Sequence, residues 1–140
     1  MWPSFALLLL INSNHEILLL RRINTPFCNH CYSLPGGKIE VGETATQTII
    51  REAKNSLGIT VTPDDITFVH VMHRKCNEPE FFACIFNITY REGTLHNQEP
   101  ERHDDMQWFA LDKLPELMVP AHRHALEMIQ QKIVYSEHGW

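Results

Sequence analysis

A mixed β-sheet flanked by helices, in an α/β or α+β sandwich, is the fold class that the sequence predicts. Apolar runs of strand length stand at residues 5–11, 16–21, 66–73 and 81–90. Helical spacing appears instead at residues 45–57 and again after Pro120. At 140 residues and 16.3 kDa the chain fits one domain, residues 1–140, with length enough for a core. No repeat, low-complexity tract or long linker divides it. The pattern leaves α/β and α+β both open.

The elements follow in order. Residues 5–11 and 16–21 enclose Asn12-Ser13-Asn14-His15, a turn-favouring cluster, and so predict a hairpin. Arg21 and Arg22 close its second strand, and an irregular stretch runs from residue 24 to Leu34-Pro35-Gly36-Gly37. Thr44 is placed to cap a helix, with Gln47 three residues on completing a capping box. Ala45, Ile49, Ala53 and Leu57 then form an apolar stripe, and Gly58 stands where a helix often ends in a left-handed residue. The strand at 66–73 is expected to alternate at Val69 and Val71. Residues 97–105 read as a polar loop, 108–111 as a short strand, and Pro120 as the start of a last helix reaching about residue 134.

Composition narrows the function. Apolar residues are 44 % and charged residues 21 %, values of an ordinary soluble globular protein. A formal charge of −5 and a pI near 6.0 argue against a nucleic-acid polymer as partner, which calls for a basic face. A small anionic ligand is compatible, because one pocket can be positive on a negative protein. The apolar stretch at 5–11 has no basic segment before it and stops at Asn12, too short for a membrane span and unlike a signal peptide. A cytoplasmic location is expected, with no membrane partner and with Cys28, Cys31, Cys76 and Cys84 reduced.

The informative segment is Gly37, five residues, Glu43, seven residues, Arg51-Glu52-Ala53, then Asn55-Ser56 and Gly58-Ile59. It resembles the Nudix box, G-x5-E-x7-R-E-U-x-E-E-x-G-U with U aliphatic. Five fixed residues in register would arise by chance roughly once in a million starting positions at ordinary residue frequencies. Leu34-Pro35-Gly36-Gly37-Lys38-Ile39-Glu40-Val41-Gly42-Glu43 resembles the LPGG-x-x-E-x-GE segment of many Nudix proteins. Trp108-Phe109-Ala110-Leu111-Asp112-Lys113-Leu114-Pro115 is similar to their closing W-x-x-L-x-x-L-P element. The resemblance covers nearly the whole chain and implies an α/β/α Nudix sandwich of the MutT-like kind.

The box has a physical reading of its own. Glu52 and positions 55 and 56 lie three and four residues apart, on one helix flank. A carboxylate at each would cage a hard divalent cation on a rigid element. In this chain the second and third positions are Asn55 and Ser56, so one of three helix carboxylates survives. Each missing carboxylate forfeits roughly 2–8 kcal/mol of attraction to a divalent ion at about 4 Å, before solvation offsets part of it. Neutral oxygens remain, and substrate phosphates add ligands.

The resemblance implies a pyrophosphohydrolase that uses Mg²⁺ or Mn²⁺ on a nucleoside diphosphate derivative, such as a nucleoside triphosphate. Glu52 is then the principal metal ligand, with Gly37 lending a carbonyl and Asn55 and Ser56 lending neutral oxygens. Glu43 and Arg51 fix loop to helix by an ion pair. Glu99 or Glu101, in the polar loop, is the candidate for an assisting acid. Arg21, Arg22 and Lys38 are candidates for phosphate contact, and homodimers are common in the family. Asn55 and Ser56 also support a rival, a Nudix-fold nucleotide-binding module without turnover. A third reading is a zinc-stabilised domain on Cys28 and Cys31, completed by His70, His73 and Cys76. No G-x-S-x-G, H-E-x-x-H or Walker A pattern occurs, which leaves serine-nucleophile, zinc-protease and P-loop mechanisms without support.

Overall fold

The computed structural model describes residues 3–76, 80–89 and 93–140. In chain order its elements are β1 (Ser4–Leu9), β2 (Glu16–Arg22), β3 (Tyr32–Ser33), β4 (Gly36–Lys38), α1 (Ala45–Leu57), β5 (Ile66–Lys75), β6 (Glu80–Ile88), β7 (His103–Ala110), α2 (Pro120–Gln130) and β8 (Tyr135–His138), with a 3₁₀ turn at Pro63–Asp65. One sheet runs β4-β1-β6-β5-β8 and a second runs β3-β2-β7. β1 lies parallel to β6 and β5 parallel to β8, while the other strand pairs are antiparallel. The fold is a mixed α+β arrangement.

The apolar runs at residues 6–10 and 17–20 do not alternate because both their faces are covered. Leu7, Leu9, Ile17 and Leu19 join a core with Ala121, Ala125 and Leu126 of α2. Ala6, Leu8, Leu10, Leu18 and Leu20 turn the other way, onto Ile49, Ala53 and Leu57 of α1. Helix, sheets and helix therefore stack as layers, and each fully buried leucine or isoleucine contributes roughly 1.5–3 kcal/mol. Among the described residues, no helix is long and apolar enough to cross a membrane.

Local chemistry sets α1 as expected. Thr44 Oγ1 accepts from Gln47 N at 3.1 Å, and Gln47 Oε1 accepts from Thr44 N at 2.8 Å. Gly58 ends the helix at φ +70°, and its N–H reaches back to the Ala53 and Lys54 carbonyls. α1 is thereby fixed at both ends, and it carries the box residues.

Four expectations are corrected. The opening hairpin exists only at its base, where Leu18 N meets Leu10 O at 3.2 Å; β1 and β2 then part into different sheets. The strand ending in the Trp108 segment begins at His103, because its polar residues pair along β2 from Arg22 to Glu16. The last helix stops at Gln130, and Tyr135–His138 forms β8 beside β5. On β5 the buried face carries His70, Met72 and Arg74, the opposite parity to Val69 and Val71, because a bulge between Phe68 and His70 shifts the register. Tyr90, expected to end a strand, lies outside the described residues.

Candidate active site

Arg51 is the hinge of the site. Its Nε donates to Glu43 Oε2 at 2.8 Å and its other guanidinium nitrogens donate to Glu43 Oε1 and Glu52 Oε1, each at 2.9 Å, and to the Lys38 carbonyl at 3.0 Å. One side chain on α1 thus ties together the preceding loop, β4 and the neighbouring Glu52. Thr48 Oγ1 and Glu40 N also donate to Glu43. The Arg51 guanidinium first, then these donors, hold the Glu43 carboxyl down at about 2. Glu43 is permanently ionised at neutral pH.

Glu52 lies at the bottom, 9 % exposed. Burial pushes its carboxyl above the ordinary glutamate range, against the opposing pull of Ser56 and Arg51. Gly37 packs directly on it, since a Cβ there would overlap Glu52 Oε1. Only glycine lets the β4 backbone approach so closely.

Glu99 arrives from the loop before β7. Ser56 Oγ stands 2.7 Å from Glu99 Oε1 and 3.1 Å from Glu52 Oε2. The loop is docked on the last turn of α1, with His96 N bonded to Leu57 O at 3.1 Å and Gln98 N to Ser56 O at 3.0 Å. Those carbonyls are the unsatisfied acceptors that every helix C-terminus leaves. Glu99 also faces Arg102 at 3.6 Å.

The remaining sequence candidates divide. Asn55 is exposed on α1 beside this cluster. Lys38 and Arg22 line a cavity of about 540 Å³ whose wall includes Gly36 and Gly37. Arg21 does not line it; its guanidinium pairs with Asp104 at 2.7 Å near the surface. Glu101 is exposed, its carbonyl taking the Asn24 amide at 2.8 Å. The structure therefore brings Glu99, and not Glu101, to the box.

Several cavity residues escaped the sequence reading. Arg74, Arg102, His122 and Phe27 all line it. The strand's expected alternation at Val69 and Val71 set Arg74 on the other face, so no signal in the sequence pointed to it.

The thiols do not complete a metal centre. Cys28 Sγ lies 3.0 Å from Cys31 Sγ, and all four cysteines are unbridged. Burial, followed by the neighbouring Cys31, pushes the Cys28 thiol up to about 11. His70 is committed to Ile133 O and Ser136 Oγ, both at 2.8 Å, and His73 stacks on Phe82 at 4.2 Å. Among the described residues, no group of three or more histidine, cysteine and acidic side chains converges to hold a metal.

A family model of the NUDIX domain matches residues 2–129. An ADP-ribose pyrophosphatase from Methanocaldococcus jannaschii is 28 % identical over 82 % of this chain and 66 % of its own length. An NAD-capped RNA hydrolase, NudC, from Pseudomonas aeruginosa is 31 % identical over 86 % of this chain, which spans only 40 % of that relative. Among solved structures, a MutT NUDIX hydrolase from Burkholderia pseudomallei superposes with a TM-score of 0.80 at 28 % identity, covering 91 % of this chain and 97 % of that one.

Proposed function

The chain belongs to the NUDIX family, and on that premise we propose that it is a divalent-metal-dependent pyrophosphohydrolase of nucleoside diphosphate derivatives. The observation that carries the reading is the Ser56 hydroxyl between two carboxylates, Glu52 and Glu99. A hydroxyl has one proton and cannot donate to both at once. Two buried or half-buried carboxylates around it create local negative charge that a cation relieves. Glu99 therefore stands in for the acid that the box lost at position 56.

The donors fit Mg²⁺ or Mn²⁺. Glu52, Glu99, the Ser56 hydroxyl, the Asn55 amide and the Gly37 carbonyl are all hard oxygens, which these ions prefer over nitrogen or sulfur. When bound, such an ion neutralises phosphoryl charge and activates or orients water. This chain's residues do the rest. Arg51 locks Glu52 in one rotamer and holds β4 to α1, and Glu43 holds Arg51. The absence of a side chain at Gly37 lets the β4 backbone lie directly on the Glu52 carboxylate. Lys38 offers a donor to the remaining phosphoryl oxygens.

Support for the substrate class comes from the relatives. Their names describe ADP-ribose, NAD-capped RNA and, over 35 % of this chain, 8-oxo-dGTP in an Escherichia coli enzyme. The chemistry shared by these is attack on a phosphoanhydride beside a nucleoside. We take a small nucleotide, a nucleoside triphosphate or a diphosphate-linked conjugate, as the substrate. A hydrolysis screen over nucleoside triphosphates, nucleotide sugars and dinucleotides in Mg²⁺ or Mn²⁺, with Glu52→Gln as control, tests the reading. The exposed, neutral Asn55 favours a second reading, a binding module. Nucleotides that raise the melting temperature without any hydrolysis would select it.

A further inference from the structure

The lining of the cavity beside the box includes Arg22 and Arg74, and among the described residues no carboxylate pairs with either. Arg74 is 9 % exposed, and its Nε has no hydrogen-bond partner. Its guanidinium rests over the Phe81 ring at 5.0 Å, the one partner of note. Arg22 donates Nε to the Phe27 carbonyl at 3.2 Å and a terminal nitrogen to Thr25 Oγ1 at 3.4 Å, both neutral acceptors. Among the described residues, neither arginine bonds a carboxylate, although the chain as a whole carries −5. Burial first lowers the pKa of both guanidiniums, and a neighbouring cation adds to it in each case, Arg22 acting on Arg74 and Arg102 on Arg22.

Arginine does not lose its proton to escape such a site. A buried guanidinium without a counter-charge is destabilising, and a second one alongside makes it worse. The nearby Cys28 thiol does not relieve it, because burial and the neighbouring Cys31 keep it protonated at neutral pH. His122 adds a donor without adding charge. It is buried against the same cavity, and its Nδ1 accepts from Leu34 N at 3.0 Å, which leaves the ring proton on Nε2.

We propose that Arg22 and Arg74 form a phosphate subsite that holds a second anionic group of the substrate, away from the linkage that the box addresses. A phosphate dianion matches two planar guanidiniums, each able to present a fork of N–H donors. The substrate class is then a nucleoside diphosphate conjugate whose other moiety carries a phosphate. That placement relative to the scissile linkage rests on the function proposed above; the anion site itself does not.

Inorganic phosphate is the probe, titrated by calorimetry into the full chain with a chelator present and chloride held constant. The wild type and Glu52→Gln are expected to bind phosphate alike, and Arg74→Met to bind at least about tenfold more weakly, the loss of one charged hydrogen-bonding partner. Arg74→Lys should fall between them, because it keeps the charge and loses the fork. Arg74→Met should also melt higher than the wild type without phosphate, since methionine fills the space beside Phe81 and removes an uncompensated charge. Arg22→Gln gives the same weakening through a residue at the cavity mouth, should Arg74→Met fail to fold. Equal phosphate binding by wild type, Arg74→Met and Arg22→Gln would overturn the proposal, as would no binding by the wild type. Phosphate binding that survives in a protein with no hydrolytic activity would keep this subsite and remove the enzymatic reading instead.

Discussion

The Ser56 hydroxyl lies 2.7 Å from Glu99 Oε1, across 43 positions of sequence. The contact joins the last turn of α1 to the loop before β7, and it puts an acid where the box has a small neutral residue. Backbone hydrogen bonds from His96 and Gln98 to the final α1 carbonyls hold the loop there. A carboxylate supplied by a docked loop is less rigid than one on the helix itself, and metal affinity in the absence of substrate should suffer accordingly.

Glu52→Gln should lower turnover by at least about a hundredfold, the scale of losing one charged group that acts on the reacting phosphate. The fold should tolerate it, because Arg51 keeps both bonds to Glu43 and the buried carboxylate is replaced by a neutral amide of the same shape. Product release and a thermal melt check the two halves. Turnover within a few-fold of wild type removes Glu52 from the mechanism.

Asn55→Glu should restore part of the missing cage. The position is exposed, so a carboxylate there meets no burial penalty. The Mg²⁺ or Mn²⁺ concentration giving half-maximal activity is expected to fall about tenfold, equivalent to about 1.4 kcal/mol. An unchanged metal dependence means that Asn55 does not face the ion.

Gly58→Ala should destabilise the protein by about 1–3 kcal/mol, the range for a side chain forced into a left-handed backbone. Gly58 sits at φ +70°, and a Cβ there would overlap the His96 ring. Because His96 N anchors the Glu99 loop on Leu57 O, the variant should also need more metal for activity. A lower melting temperature with an unaltered metal dependence would separate the cap from the site.

His122 governs part of the acid stability. Burial first, and then the Arg74 and Arg22 charges, hold its imidazole neutral, at about 3 against an ordinary 6.5. Between those values the unfolded chain binds a proton that the folded one refuses. The contribution is therefore complete above pH 6.5 and is lost as pH falls toward 3, at up to about 1.4 kcal/mol per pH unit. Glu43, held at about 2 from an ordinary 4.5, adds its own loss only below 4.5. His122→Asn can still accept from Leu34 N, so its stability between pH 6.5 and 4.5 should fall less steeply. Parallel slopes in chemical denaturation would contradict this.

Local chemistry made much of the frame legible. Thr44, Gln47 and Gly58 fix α1 by side-chain caps and backbone sign, which depend on near neighbours alone. The bonding of Arg51 to Glu43 was legible through the resemblance of the box, which implies that ion pair. What stayed hidden depends on distant pairing. β8 is short and polar, and it becomes a strand only because β5 offers an edge. One bulge near Val69 reversed which β5 residues face inward, and with that parity went Arg74 and the cationic wall of the cavity. Glu99 and Glu101 could not be separated by sequence, since two residues along a loop have no fixed period to orient them.

The most direct test of the account is the metal dependence of hydrolysis by Glu99→Gln, measured beside the wild type on whichever nucleotide the screen identifies. The amide keeps the shape and can still meet the Ser56 hydroxyl, so the melting temperature should change little. If Glu99 supplies the acid that the box lacks, the variant will need at least about ten times more Mg²⁺ or Mn²⁺ for half-maximal rate. A metal curve that overlays the wild type would contradict it, and would remove Glu99 from metal binding.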